Sequence, residues 1–107
     1  MDVPEIDVTA LAEVHAAGGF VLDVRQPDEY AEVHVPGAVL VPLGEVPDRV
    51  AEVPTDVPVY VICRSGARSL RAAEHLRAAG FDARNVAGGT LAWVADGRPT
   101  ARGPEPG

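Results

Sequence analysis

Two periodicities alternate along this chain: short apolar runs of four to six residues, and longer stretches in which apolar positions recur every three or four residues. Residues 3–6 predict a first short strand. Asp7 follows as a helix N-cap, and Val8, Leu11, Ala12 and Val14 form the apolar stripe of a helix that stops at Gly18-Gly19. Residues 20–24 predict a buried strand, residues 28–32 a short helix, and Val35-Pro36-Gly37 a turn into a strand over 38–41. Another short helix is expected over 45–52, with Pro47 in its first turn. The run 57–62 predicts a strand that ends at Cys63, with Pro58 near its start. A helix over 67–79 then places Leu70, Ala73 and Leu76 inward and Arg71, Glu74, His75 and Arg77 outward, ending at Gly80. Residues 81–86 predict a last strand, Gly88-Gly89 a turn, and Thr90 the cap of a final short helix containing Leu91, Trp93 and Val94. Strands alternating with helices in this way predict an α/β fold, a parallel sheet with helices on its faces.

Size limits this pattern to one domain. A chain of 107 residues buries roughly 65% of its unfolded surface, enough for a single core. With 47% hydrophobic residues the composition excludes intrinsic disorder. The domain is expected to span residues 1–99; residues 100–107, rich in Pro and Gly without apolar anchors, read as a flexible tail. Sixteen acidic and nine basic residues give a net charge of −7, which opposes binding to nucleic acid or to anionic membrane surfaces. The opening residues carry neither a basic segment nor a long apolar run and no stretch is long enough to span a bilayer, so a soluble, cytoplasmic protein is expected, with a monomer as the default. All nine basic residues are arginine, so a local positive site must be built from guanidinium groups, which suit multi-oxygen anions.

The candidate chemistry lies at Cys63-Arg64-Ser65-Gly66-Ala67-Arg68, between an apolar strand and a helix. Ligands of open α/β sheets bind at the carboxyl ends of strands. A tight loop entering a helix turns successive backbone N–H groups inward, and these, with the helix dipole and Arg64 and Arg68, would stabilise a thiolate and an anion beside it. Cys63 is therefore read as a nucleophile of lowered pKa rather than as a small apolar core residue, because two arginines, a serine and a glycine are poor neighbours for a core plug. Cys63 is the sole cysteine, so no second thiol of the chain can resolve it, and no cysteine-built metal site exists. Three dispersed histidines give no metal cluster. No cofactor is implied. Asp23 and Arg25 end a strand on the same sheet edge; they either line the site and orient Arg68 or form a structural ion pair. Glu29 is expected to pair with an arginine or cap a turn, His34 to hydrogen-bond backbone, His15 and His75 to be solvated, and Trp93 to anchor the core or rim.

The chain resembles the rhodanese family of sulfurtransferases. The likeness is carried by Leu22-Asp23-Val24-Arg25 with Glu29-Tyr30, by His34-Val35-Pro36-Gly37-Ala38, and by the Cys63 to Arg68 loop with Asn85-Val86-Ala87-Gly88-Gly89 and Trp93. It implies a three-layer fold with a five-stranded, mainly parallel sheet, and a cysteine that takes a sulfane sulfur from a small anionic donor such as thiosulfate. The sulfur is held as a Cys63 persulfide and passed to cyanide, a thiol such as glutathione or an acceptor protein. Arg64, Ser65, Gly66, Ala67 and Arg68 then form the anion cradle, with Asp23 and Arg25 behind it. Val33 stands where the family usually has glycine, which points to an altered turn before the next strand. Cysteine phosphatases place five residues between cysteine and arginine; only four separate Cys63 from Arg68, which disfavours phosphatase or arsenate reductase chemistry. The alternative from a different class is a sulfur-carrier or regulatory module loaded by a partner protein without turnover.

Overall fold

The computed structural model describes residues 2–107 and arranges five strands in one parallel sheet, in the order β1-β5-β4-β2-β3. The strands are β1 (Glu5–Ile6), β2 (Phe20–Asp23), β3 (Val39–Leu40), β4 (Val59–Ile62) and β5 (Ala83–Val86). The helices are α1 (Val8–Ala16), α2 (Pro27–Glu32), α3 (Ala67–Ala78) and α4 (Gly89–Ala95). Asp7 caps α1 as expected, accepting a hydrogen bond from the Ala10 N–H at 2.9 Å. No helix among the described residues is long and apolar enough to cross a membrane.

Side chains alternate across the sheet and divide the core in two. Val59, Val61 and Cys63 join Leu22, Val24, Ala72, Ala73 and Leu76 beneath α3. Tyr60 and Ile62 join Val21, Leu11, Tyr30, Val86 and Trp93 beneath α1, α2 and α4. This is the three-layer arrangement, with β4 buried along its whole length. Cys63 continues the alternation of β4 and so enters the α3 layer, while Asp23, in phase with Val21, belongs to the opposite one.

Four local expectations are corrected. The segment expected as a helix over 45–52 forms two 3-10 turns, Leu43–Asp48 and Val50–Glu52, since Pro47 lacks the N–H an α-helix needs. On α3 the buried positions are Ser69, Ala72, Ala73 and Leu76, the true helical stripe, and Leu70 is 36% exposed. Gly88, not Thr90, is the N-cap of α4, and the Thr90 hydroxyl donates instead to the Cys63 carbonyl at 3.0 Å. His15 is part-buried against Trp93 and bonds the Pro36 carbonyl, so it is not a solvated residue, whereas His75 is exposed.

The segment 100–107, read from sequence as a loose tail, is hydrogen-bonded along the α2–β3 connection. Ala101 exchanges both backbone bonds with His34 at 2.9 Å, the Gly103 N–H donates to Ala31, and the Gly37 N–H donates to Pro106. The two ring nitrogens of buried His34 face the carbonyls of Tyr30 and Pro106. Just upstream, Trp93 Nε1 donates to the Pro99 carbonyl at 2.7 Å.

Candidate active site

Cys63 stands at the carboxyl end of β4, one residue beyond the last sheet pairing, and is only 1% exposed. The chain then turns through Arg64, Ser65 and Gly66 into α3, whose N-terminus adjoins the cysteine. Gly66 makes the turn possible. Its φ of +116° is one that a side chain resists, and it directs the Gly66 N–H to Cys63 Sγ at 3.1 Å. The Ser69 hydroxyl lies 3.3 Å from Sγ. Burial pushes the Cys63 thiol up, but the Ser69 hydroxyl and the backbone N–H groups of Ser69, Gly66 and Ser65 outweigh it, and the thiol lies below its ordinary range.

The loop is tied down from behind by α4. The Thr90 N–H donates to the Cys63 carbonyl at 2.9 Å and the Leu91 N–H to the Arg64 carbonyl at 3.1 Å. Gly89 admits this approach: a Cβ there would lie 2.6 Å from both carbonyl oxygens, and its φ is +58°. The Gly88-Gly89 turn thus meets the loop directly. Beside it opens a cleft of about 350 Å³, lined by Arg25, Glu29, Val33, Arg64, Leu91 and Val94 among others. Leu91 and Val94 are 49% and 45% exposed on its rim.

Charges around the loop are arranged in pairs. Asp23 and Arg25, both buried, form an ion pair at 2.8 Å, and Arg25 also donates to the carbonyls of Val33 and Glu29. Arg68 is held by both oxygens of Glu29 at 2.7 and 2.8 Å, and Glu29 also accepts from the Gln26 N–H at the start of α2. The hydrogen bond from Arg68 outweighs burial and holds the Glu29 carboxyl at about 2. Glu29 therefore both pairs with an arginine and caps a turn. Arg64 is exposed on the cleft, with no side-chain hydrogen bond or salt bridge to the other described residues.

The sequence-predicted residues thus fall into three groups. Cys63 and Gly66 come together at the sulfur through the Gly66 N–H, and the Ser65 N–H contributes to the lowering of the thiol. Arg64 and Arg25 face the adjoining cleft; Arg68 is turned to Glu29, and Asp23 binds Arg25 rather than Arg68. Ala67 begins α3 as an exposed residue. Sequence reasoning missed Ser69. Its signal was present, a polar residue in phase with Ala72, Ala73 and Leu76, immediately after the loop. Asn85, quoted only as part of a motif, accepts from the Ser69 hydroxyl at 2.6 Å.

The chain matches the model of the rhodanese-like domain over residues 7–96. It is 36% identical over 101 residues to the putative sulfurtransferase YtwF of Bacillus subtilis (strain 168), spanning 92% of this chain and 98% of that protein. It is 39% identical over 100 residues to a sulfurtransferase of Allochromatium vinosum, spanning 91% and 94% respectively. Among solved structures, a rhodanese-related protein from Thermoplasma volcanium superposes with a TM-score of 0.86 at 31% identity, over 92% of this chain and 97% of that one.

Proposed function

The chain belongs to the rhodanese-like domain family, and on that premise we propose that it is a sulfurtransferase carrying sulfane sulfur on Cys63, with thiosulfate as a small-molecule donor. The observation that carries this reading is the environment of Sγ: buried, yet receiving hydrogen bonds from the Gly66 N–H and the Ser69 hydroxyl that favour the thiolate. The thiolate attacks the outer sulfur of thiosulfate, the S–S bond breaks, and sulfite leaves with the bonding pair. A persulfide stays on Cys63. An acceptor such as cyanide or a thiolate then attacks the outer sulfur and returns Cys63 as a thiolate.

Anion binding falls to the loop N–H groups and to Arg64. Arg68, engaged by Glu29, adds its charge to the site and clamps the first turn of α3 to α2. Asp23 and Arg25 support the cleft wall through their own ion pair and the Arg25 bond to the Val33 carbonyl.

Intact-protein mass spectrometry of reduced protein incubated with thiosulfate, then with cyanide, tests the proposal. A gain of one sulfur that cyanide removes, absent in Cys63→Ala, is the expected result. No gain from thiosulfate, with loading only by a persulfidated partner protein, would replace turnover by the carrier-module reading. Arg64→Ala should raise KM for thiosulfate while Arg77→Ala, whose guanidinium pairs with Asp82 and the Ala83 carbonyl, leaves it unchanged.

A further inference from the structure

The Cys63 sulfur is backed by a second layer of hydrogen bonds that starts at Ser69. A hydroxyl has one proton to give, and Ser69 Oγ has two acceptors: Cys63 Sγ at 3.3 Å and Asn85 Oδ1 at 2.6 Å. The orientation of the Asn85 amide is fixed from its other end. Nδ2 donates to Glu5 Oε2 at 2.7 Å and to the Gly66 carbonyl at 3.2 Å, so both amide protons are used and Oδ1 faces Ser69. Ser69 and Asn85 are buried, and Glu5 is the direct neighbour of Asn85 in the β1–β5 pairing.

We propose that Asn85 is a positioning residue for the Cys63 sulfur, acting through Ser69 and Gly66. Through Oδ1 it holds the Ser69 hydroxyl in place. While the sulfur carries its proton, the S–H donates to Ser69 Oγ and the Ser69 O–H donates to Asn85; once the sulfur is a thiolate, the same hydroxyl turns its proton to Sγ. Through Nδ2 the same amide pins the Gly66 carbonyl and so steadies the residue whose N–H is aimed at Sγ. One side chain on β5 keeps two donors in register with the sulfur, and Glu5 keeps that side chain oriented. This deepens the reading of Cys63 as the sulfur-carrying nucleophile and rests on its thiolate.

The test is the pH dependence of Cys63 alkylation by iodoacetamide on the full chain, for wild type, Ser69→Ala, Asn85→Ala and their double variant, with folding checked by circular dichroism. Ser69→Ala, which removes a donor, should slow alkylation at neutral pH by about fivefold, the weight of one hydrogen bond, move the profile to higher pH and spare the plateau reached in alkali. Asn85→Ala removes the acceptor that competes with Sγ for the Ser69 proton and also releases the Gly66 carbonyl, so its two effects oppose each other in the wild-type background; with Ser69→Ala in place only the Gly66 effect remains. Asn85→Ala should therefore slow alkylation further in the Ser69→Ala background, and by more than it does in wild type. A double variant that alkylates as Ser69→Ala does, or an equal effect of Asn85→Ala in both backgrounds, would overturn the proposal. Should Asn85→Ala not fold, the exposed Glu5 decides in the Ser69→Ala background: there Glu5→Ala should move the profile up, although removing a carboxylate alone would move it down, and Glu5→Gln, which still accepts from Asn85, should not move it up. An unchanged or lowered Glu5→Ala profile would sink the idea. Alkylation needs no sulfur donor, so failure to load sulfur with these shifts intact would remove the sulfur-transfer reading and leave this one standing.

Discussion

Two residues at the site show how single atoms set its limits. At Gly89 the space for a side chain is already occupied by the carbonyl oxygens of Cys63 and Arg64, 2.6 Å from where a Cβ would stand, and these atoms are backbone that cannot rotate away. Gly89→Ala should therefore cost about 2–5 kcal/mol and lower Tm by roughly 10 °C or more. Gly44→Ala, at a position with nothing within 4 Å, should leave Tm nearly unchanged. Comparable melting of both variants would show that the close approach of α4 to the loop does not constrain the fold. At Glu29 the constraint is electrostatic. Its carboxyl is lowered from an ordinary 4.5 to about 2 by Arg68, so the pair's stabilisation is complete above about pH 4.5 and is lost as pH falls through about 2. The Tm difference between wild type and Glu29→Gln should be constant at neutral and mildly acidic pH and close between those two values. A difference that persisted at pH 2 would mean that the bridge is held by something other than the charge on Glu29.

Among the elements, the C-terminal segment departs most from its sequence signature. It offers no apolar anchor, yet its backbone bonds to Ala31, His34 and Gly37 secure the connection between α2 and β3, whose Val33 lines the cleft. Removing residues 101–107 should therefore destabilise the chain by about 1–3 kcal/mol, the bonds being offset by the entropy of ordering the tail. It should also expose the His34 and Gly37 amides to faster hydrogen exchange, and unchanged protection there would refute this account. The same contrast explains what was legible in the chain. The strands, the Asp7 cap and the loop from Cys63 to Gly66 were readable because periodicity, capping chemistry and a required backbone turn leave local marks. The tail was not readable, since backbone hydrogen bonds carry no residue signature. Hydropathy places Leu70 inward, whereas a 3.6-residue period puts Ser69 there, and a buried hydroxyl is tolerated only because Asn85, distant in sequence, accepts from it. The pairing of Arg68 with Glu29 spans the sheet edge between α3 and α2, a contact set by packing and not by spacing in the chain.

At the scale of the whole molecule, the field and the site oppose each other. The net charge of −7 surrounds a body measuring 33 × 25 × 23 Å, so a unit negative charge approaching to about 16 Å of its centre in water meets about 2 kcal/mol of unscreened repulsion, and a dianion about twice that. The attraction proposed for Arg64 and the loop N–H groups would act only at close range. At 0.01 M ionic strength the Debye length is about 30 Å and the repulsion reaches across the whole molecule; at 0.15 M it is about 8 Å and the site acts nearly alone. For thiosulfate, kcat/KM should accordingly rise with ionic strength over this interval, contrary to the fall seen when a site's own positive charge steers its anion. Two alkylating agents separate this field effect from any change in Cys63 itself. The rate of anionic iodoacetate should rise with salt relative to that of neutral iodoacetamide, and iodoacetamide alone should change little. A falling ratio would mean that Arg64 dominates the approach path despite the acidic surface, and Arg64→Ala should then abolish the fall. A rising ratio would place the gain in the encounter step, where a cationic acceptor or partner would instead be favoured by low salt.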